Sequence, residues 1–166
     1  MTNKTNFFIK AITSIYDIRV FSKYAKEGIF RAISYSTLFT LILSGMKSVF
    51  INYITGKFDF NVFIYMFFKN FEVILINLFV NSLIVAMVAS LFTLFMRMMV
   101  KYAALYSLTL YAATLPLMIQ TLLETVYPDI NFDTMFIVGT LTYVVLILRY
   151  IKDEIMKNVT SEKDHK

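Results

Sequence analysis

The chain has 166 residues, of which 58% are hydrophobic, 17% aromatic and only 16% charged, with a formal net charge of +5. A soluble domain averages about 45–50% apolar and about 25% charged residues, so too few charges remain to cover a water-facing surface. With four Gly and two Pro the collagen-like and disordered classes fail as well. The absence of Cys removes disulfides, thiolate metal sites and cysteine nucleophiles together, and a single His, His165, leaves little imidazole chemistry. A mean hydropathy of +0.68 points to a membrane protein and leaves its activity open.

In chain order, residues 5–30 are too polar to span but carry helical periodicity. Phe8, Ile12 and Ile15 share one stripe, and Ile18, Phe21, Ala25 and Ile29 another, with Lys10, Lys23 and Lys26 mostly elsewhere. The pattern predicts one or two amphipathic helices, on the inner leaflet or packed on the bundle's own cytoplasmic face; the two placements are compatible. The first charge-free window, 32–46, is bounded by Arg31 and Lys47, whose stems can snorkel and lengthen the span to about 31–50. Thirty residues precede Arg31 and no small-x-small site follows the window, so it reads as a retained span rather than a cleaved leader.

The loop 47–72 crowds Phe58, Phe60, Phe63, Tyr65, Phe67, Phe68 and Phe71 together. In a chain without Trp these are the interfacial anchors, and a short interfacial helix capped by Asp59 or Asn61 is expected before span two. The second and third spans, about 72–96 and 102–123, are joined by a tight turn carrying Arg97 and Lys101. A turn with Tyr127, Pro128 and Asp129 leads to a fourth span at about 133–151, and 152–166 reads as a frayed polar tail. The fold class is therefore all-α: one integral membrane domain over 1–166, with four transmembrane helices behind the amphipathic segment.

Of the 16 Lys and Arg, 13 lie in 1–31, in the middle turn and from Arg149 onward, against three in 47–72 and none in 124–133. By the positive-inside rule both termini are cytoplasmic and the basic residues Lys10, Lys23, Lys26, Arg31, Arg97 and Lys101 meet the inner membrane surface. The basicity records topology, so no nucleic-acid partner is expected.

Lys47, Arg97, Lys101, Glu124 and Arg149 all fall at the ends of the expected spans, which argues against a proton-coupled transporter or a carboxylate protease. Each span instead has a small or hydroxylic stripe: Thr37, Thr40, Ser44 and Ser48; Ser82, Ala86, Ala89 and Thr93; Ser107, Tyr111, Thr114 and Thr121; Gly139 and Thr142. Such stripes let helices pack closely in lipid, and packing is favoured over a polar path. Asn77 and Asn81 project from one face of span two, as interhelical glue, a dimer contact or a ligand site, with glue the preferred reading. Pro116, with Gln120 one turn later, predicts a kink near Ala112.

The runs Phe7-Phe8-Ile9-Lys10-Ala11-Ile12-Thr13-Ser14-Ile15-Tyr16-Asp17, Ala25-Lys26-Glu27-Gly28-Ile29 and Leu110-Tyr111-Ala112-Ala113-Thr114-Leu115-Pro116 resemble the bacterial membrane-protein family catalogued as "domain of unknown function eleven eighty-nine". One branch of that family is labelled maltodextrin utilisation protein, and the family looks distantly similar to Yip-type membrane proteins. Its members have a longer extracytoplasmic segment between the first two spans, so this chain resembles a shortened form. The resemblance supplies no catalytic or ligand residues.

The expectation is thus a multi-pass protein of the bacterial cytoplasmic membrane acting as a non-enzymatic accessory, and the resemblance implies a place beside a sugar-transport system. It needs no cofactor or metal, its partners are the bilayer and other membrane proteins or further copies of itself, and no small-molecule ligand is assignable. The alternative is a small homo-oligomeric transporter or channel, in which the Asn77/Asn81 face and the Pro116 kink would line a polar cavity.

Overall fold

The computed structural model describes residues 7–16, 18–21, 28–54 and 59–163. The expectations for Lys23, Lys26 and the Lys10 side chain concern positions outside the described residues. Every regular element among those residues is helical: α1 (Phe7–Tyr16), a 3-10 turn (Ile18–Val20), α2 (Ile29–Ile54), α3 (Phe60–Phe95), α4 (Tyr102–Ala112), α5 (Thr114–Val126) and α6 (Asp133–Lys163).

The few helix-disrupting residues mark the boundaries. Gly28 precedes α2, Pro116 follows the α4–α5 break and Pro128 lies between α5 and α6. Gly45 and Gly139 sit inside helices at close approaches. A Cβ on Gly45 would meet the Phe67 ring at 3.7 Å, and one on Gly139 would meet Pro116 at 3.7 Å.

Helices α2, α3 and α6 are each long and apolar enough to cross a membrane, and α4 with α5 qualifies as a pair bent by 45°. That makes three membrane-length helices, or four spans if the bent pair is one. The bend has the expected cause. Pro116 has no N–H for the Ala112 carbonyl, and α4 ends at Ala112. The break is closed by hydroxyls: Thr114 Oγ1 donates to the Tyr111 carbonyl (2.7 Å), so Tyr35 OH, 3.0 Å from Thr114 Oγ1, is the donor in that second bond. The Tyr35 ring lies against Tyr111 (centroids 5.0 Å apart), and Phe7 of α1 lies 5.4 Å from Tyr35.

Two elements run further than the sequence led one to expect. Residues 60–71 form the first three turns of α3, not a separate interfacial helix. Asp59 is its N-cap, its Oδ1 accepting from the Asn61 and Val62 N–H groups (2.8 and 3.4 Å), and no Gly or Pro interrupts the 36 residues. The rings of Phe63, Phe67 and Phe71 stack one turn apart, with centroids 6.2 and 6.4 Å apart. At about 1.5 Å per residue α3 is about 54 Å long, well beyond a hydrocarbon core of about 30 Å. Likewise α6 continues to Lys163 in place of a frayed tail. No Gly or Pro follows Gly139, and Asp153 stands four residues before Lys157, a favourable helical pairing distance.

The small-residue stripes form the core. Thr40, Ser44 and Ser48 of α2, Ser82, Ala86, Ala89 and Thr93 of α3, and Ser107, Tyr111, Thr114 and Thr121 of α4–α5 are all buried. The expectation fails at Thr37 of α2, which is only half-buried, and in part on α6, where Gly139 is half-buried, Thr142 is exposed, and Thr140 is buried beside Phe136 and Val144 instead. The hydroxyls of Ser36, Ser82, Ser107 and Thr140 are buried without a hydrogen-bond partner. Their value is small volume, which brings backbones together in a setting where close packing drives association.

Helix α1 packs on the bundle against α4 and α5. Phe7, Ala11 and Ser14 turn inward, Tyr143 OH of α6 donates to the Ser14 carbonyl (3.2 Å), and Ile9 and Ile12 are exposed. Phe21 is wholly buried, edge-on to Tyr143 with centroids 5.8 Å apart.

Candidate functional site

At the end of the bundle where α2 meets α3 and α5 meets α6, four polar side chains from three helices join. Lys47 lies seven residues before the end of α2, so it projects from the side of a continuing helix and not from a frayed terminus. Its Nζ stands 3.1 Å from Glu124 Oε2 of α5, with the two side chains only 13% and 26% exposed. Gln120, one turn before Glu124 on the same face, uses Nε2 to donate to Glu124 Oε1 (2.8 Å) and to Asp133 Oδ1 (2.9 Å) at the start of α6. Asn131 Oδ1 accepts from the Asp133 N–H (2.7 Å) and fixes the entry into that helix. The acidic Asp133 in the first turn also complements the positive end of the α6 dipole.

The same end is braced by two more amides. Asn52 is buried and clasps the backbone of Asp59, its Nδ2 donating to the carbonyl (3.0 Å) and its Oδ1 accepting from the N–H (3.4 Å). Asn70 Nδ2 of α3 donates to Ser48 Oγ of α2 (2.9 Å). These bonds tie α2 to the start of α3 while Lys47 ties it to α5.

Beside this network lies a cavity of about 550 Å³, lined by Lys47, Glu124, Asp129, Asn131, Asp133 and, from α3, Asn77, with apolar walls from Phe50, Ile51, Ile54 and Val73. Among the expected site residues the structure therefore brings Asn77 to the cavity and Gln120 to the network behind it. Asn81, one turn from Asn77, does not line the cavity, and neither does Pro116, which is buried against Gly139. The expected interhelical bonds of the two α3 amides do not form within the chain. Among the described residues neither Asn77 nor Asn81 has a hydrogen-bond partner. Arg31, Arg97 and Lys101 are exposed, the last two in the turn between α3 and α4 at the opposite end.

Sequence reasoning missed the joining of Lys47 to Glu124 and the part played by Asn52, Asn70 and Asp133. A signal was present: Lys47 closes the first apolar window and Glu124 the third, which puts opposite charges at one end of the bundle. Chemically, the arrangement can hold a polar group by charge and by amide hydrogen bonds. No group of three His, Cys, Asp or Glu able to hold a metal ion occurs among the described residues.

Residues 50–148, more than half of the chain, match the family model described as Protein of unknown function (DUF1189). The match runs from the end of α2 through the first half of α6 and so contains all the cavity residues except Lys47. No curated protein and no solved structure matches the chain.

Proposed function

The chain belongs to the family of proteins of unknown function DUF1189, and we propose that it is a non-enzymatic accessory protein of the bacterial cytoplasmic membrane that acts by docking to another membrane chain. In this reading the bent α4–α5 pair is one span, giving four, with both termini cytoplasmic and the Lys47–Glu124 end outside. Helix α1 rides on the inner half of the bundle with Ile9 and Ile12 toward lipid.

The observation that carries the reading is Asn81. It lies 14 residues before the end of α3 at Phe95 and nine after Glu72, about 21 Å and about 14 Å along the axis, which supports a place inside the hydrocarbon. Its amide has no partner in the chain among the described residues. The side chain is half-buried, and an unpaired amide in an apolar setting gains roughly 0.6–2 kcal/mol from an interhelical hydrogen bond, which supports a partner helix against this face. Sugar-transport association remains the hint carried by one branch of the resembling family.

The test is co-purification in mild detergent, native chain against Asn81→Leu. The native chain should run as a stoichiometric complex and the variant as a folded single chain. A native chain that runs alone, at the same mass as the variant, contradicts the proposal.

A second reading is favoured by one observation, the Asn77 amide in the wall of a polar cavity. A homo-oligomeric transporter or channel would use that wall as part of its path. If Asn77→Leu leaves folding and assembly intact but abolishes a measured flux, this second reading replaces the first.

A further inference from the structure

Two cavities lie side by side at Lys47. The polar one, about 550 Å³, falls in the size range of small-molecule sites. The other, about 210 Å³, is an apolar groove between α2 and α5 lined by Leu43, Met46, Met118 and Leu122 among others. Lys47, Phe50 and Thr125 belong to the walls of both, so the two spaces adjoin across these three side chains. A polar chamber beside an apolar groove matches an amphiphile, with its head in one and its chain in the other.

The charges select the head. The chamber is lined by three carboxylates, Glu124, Asp129 and Asp133, and by one ammonium, Lys47. Lys47 is already paired with Glu124. Among the described residues Asp129 and Asp133 have no cationic partner. A purely anionic head would meet a net charge of two negatives, whereas an ammonium would be attracted by two carboxylates that have no cationic partner, one of them already accepting from Gln120. Asn77 and Asn131 supply amide donors for an ester or phosphate oxygen beside that ammonium.

The surroundings select the source. Lys47 is 16 residues beyond Arg31, about 24 Å along α2, close to the far boundary of a core about 30 Å thick. Met46, Leu122 and Val126 in the groove's wall are each more than half exposed, so the groove opens on the apolar flank of the bundle. A ligand can therefore enter sideways from the leaflet without crossing water.

We propose that the chamber and groove form one binding site for an aminophospholipid, with its ammonium at Asp129 and Asp133 and part of one acyl chain in the α2–α5 groove. This goes beyond the docking role proposed above and does not depend on it, since lipid binding in detergent is read without any partner chain.

The test is native mass spectrometry and thermal unfolding of the purified full chain with added phosphatidylethanolamine, phosphatidylglycerol or chain-free glycerophosphoethanolamine. Phosphatidylethanolamine should remain bound and raise the melting temperature, while the other two should do neither. Losing a charge-assisted bond should weaken retention about tenfold or more in Asp129→Asn, an exposed position whose replacement leaves the helices intact. Thr125→Phe, which fills the junction, should weaken it similarly; its hydroxyl bonds only within its own helix, to the Thr121 carbonyl. Equal binding of phosphatidylglycerol, or unchanged retention in both variants, overturns the proposal. Binding of the chain-free head alone at the same strength overturns the part assigned to the groove.

Discussion

Replacing Lys47 with Met removes the cation from the ion pair that links α2 to α5 while keeping most of the length of the side chain. At 3.1 Å and an effective dielectric near 20, the gross attraction of the pair is about 5 kcal/mol. Most of that is offset by the cost of drawing both groups out of water, since the two side chains are only 13% and 26% exposed. Removing one partner is different from removing both, because Glu124 would remain half-buried as an uncompensated charge. Gln120 still donates to Glu124 Oε1, which softens the loss. The expected cost of Lys47→Met is about 2–3 kcal/mol, with Glu124→Gln costing somewhat less and the double variant recovering at least half of the summed loss. The assay is reversible unfolding in detergent, read by far-ultraviolet circular dichroism over a double-mutant cycle. A coupling energy indistinguishable from zero would refute the reasoning, because it would mean that water screens the pair and the network does not brace the bundle.

Three further outcomes follow from local geometry. Arg97 has φ of 54°, in the left-handed region, where it closes α3 with its own N–H on the Leu94 carbonyl (3.0 Å) and the Met98 N–H on the Thr93 carbonyl (2.9 Å). Arg97→Gly should therefore stabilise the fold by about 1 kcal/mol in the same unfolding assay. Gly139→Ala should be accepted, since its new methyl would sit in ordinary contact at 3.7 Å from Pro116, whereas Gly139→Leu should lower the melting temperature by pushing α6 off the bend. Asn52→Ala removes both bonds to the Asp59 backbone and should cost about 1–2 kcal/mol, with faster hydrogen exchange at the start of α3.

Much of the fold was legible because lipid imposes simple rules. Charge-free windows, the Pro116 break and the buried small-residue stripes of α2 to α5 follow from length, missing N–H groups and close packing. What the windows could not show was helix continuing past the apolar stretch. Residues 60–71 and 152–163 contain Asn, Lys, Glu and Asp and no helix breaker, so they extend α3 and α6 beyond the windows. Thr142 and Thr140 show a second limit. Both are hydroxylic and two residues apart, so they lie on different faces, and only the neighbouring helices decide which is buried. At the site, Asn77 and Gln120 were visible as polar residues in apolar runs. The partners Lys47, Glu124 and Asp133 looked like ordinary span ends, because their meeting depends on how three helices are placed together.

The central claim is a membrane bundle whose Lys47–Glu124 end lies outside and whose two ends of chain lie inside. The chain has no Cys, so single cysteines report position without background. Asn131→Cys, beside the cavity, and Ser161→Cys, near the end of α6, should be probed in intact cells with a membrane-impermeant thiol reagent. The account predicts labelling of Asn131→Cys in intact cells and of Ser161→Cys only after permeabilisation. Labelling of Ser161→Cys from outside intact cells, with Asn131→Cys protected, would contradict it.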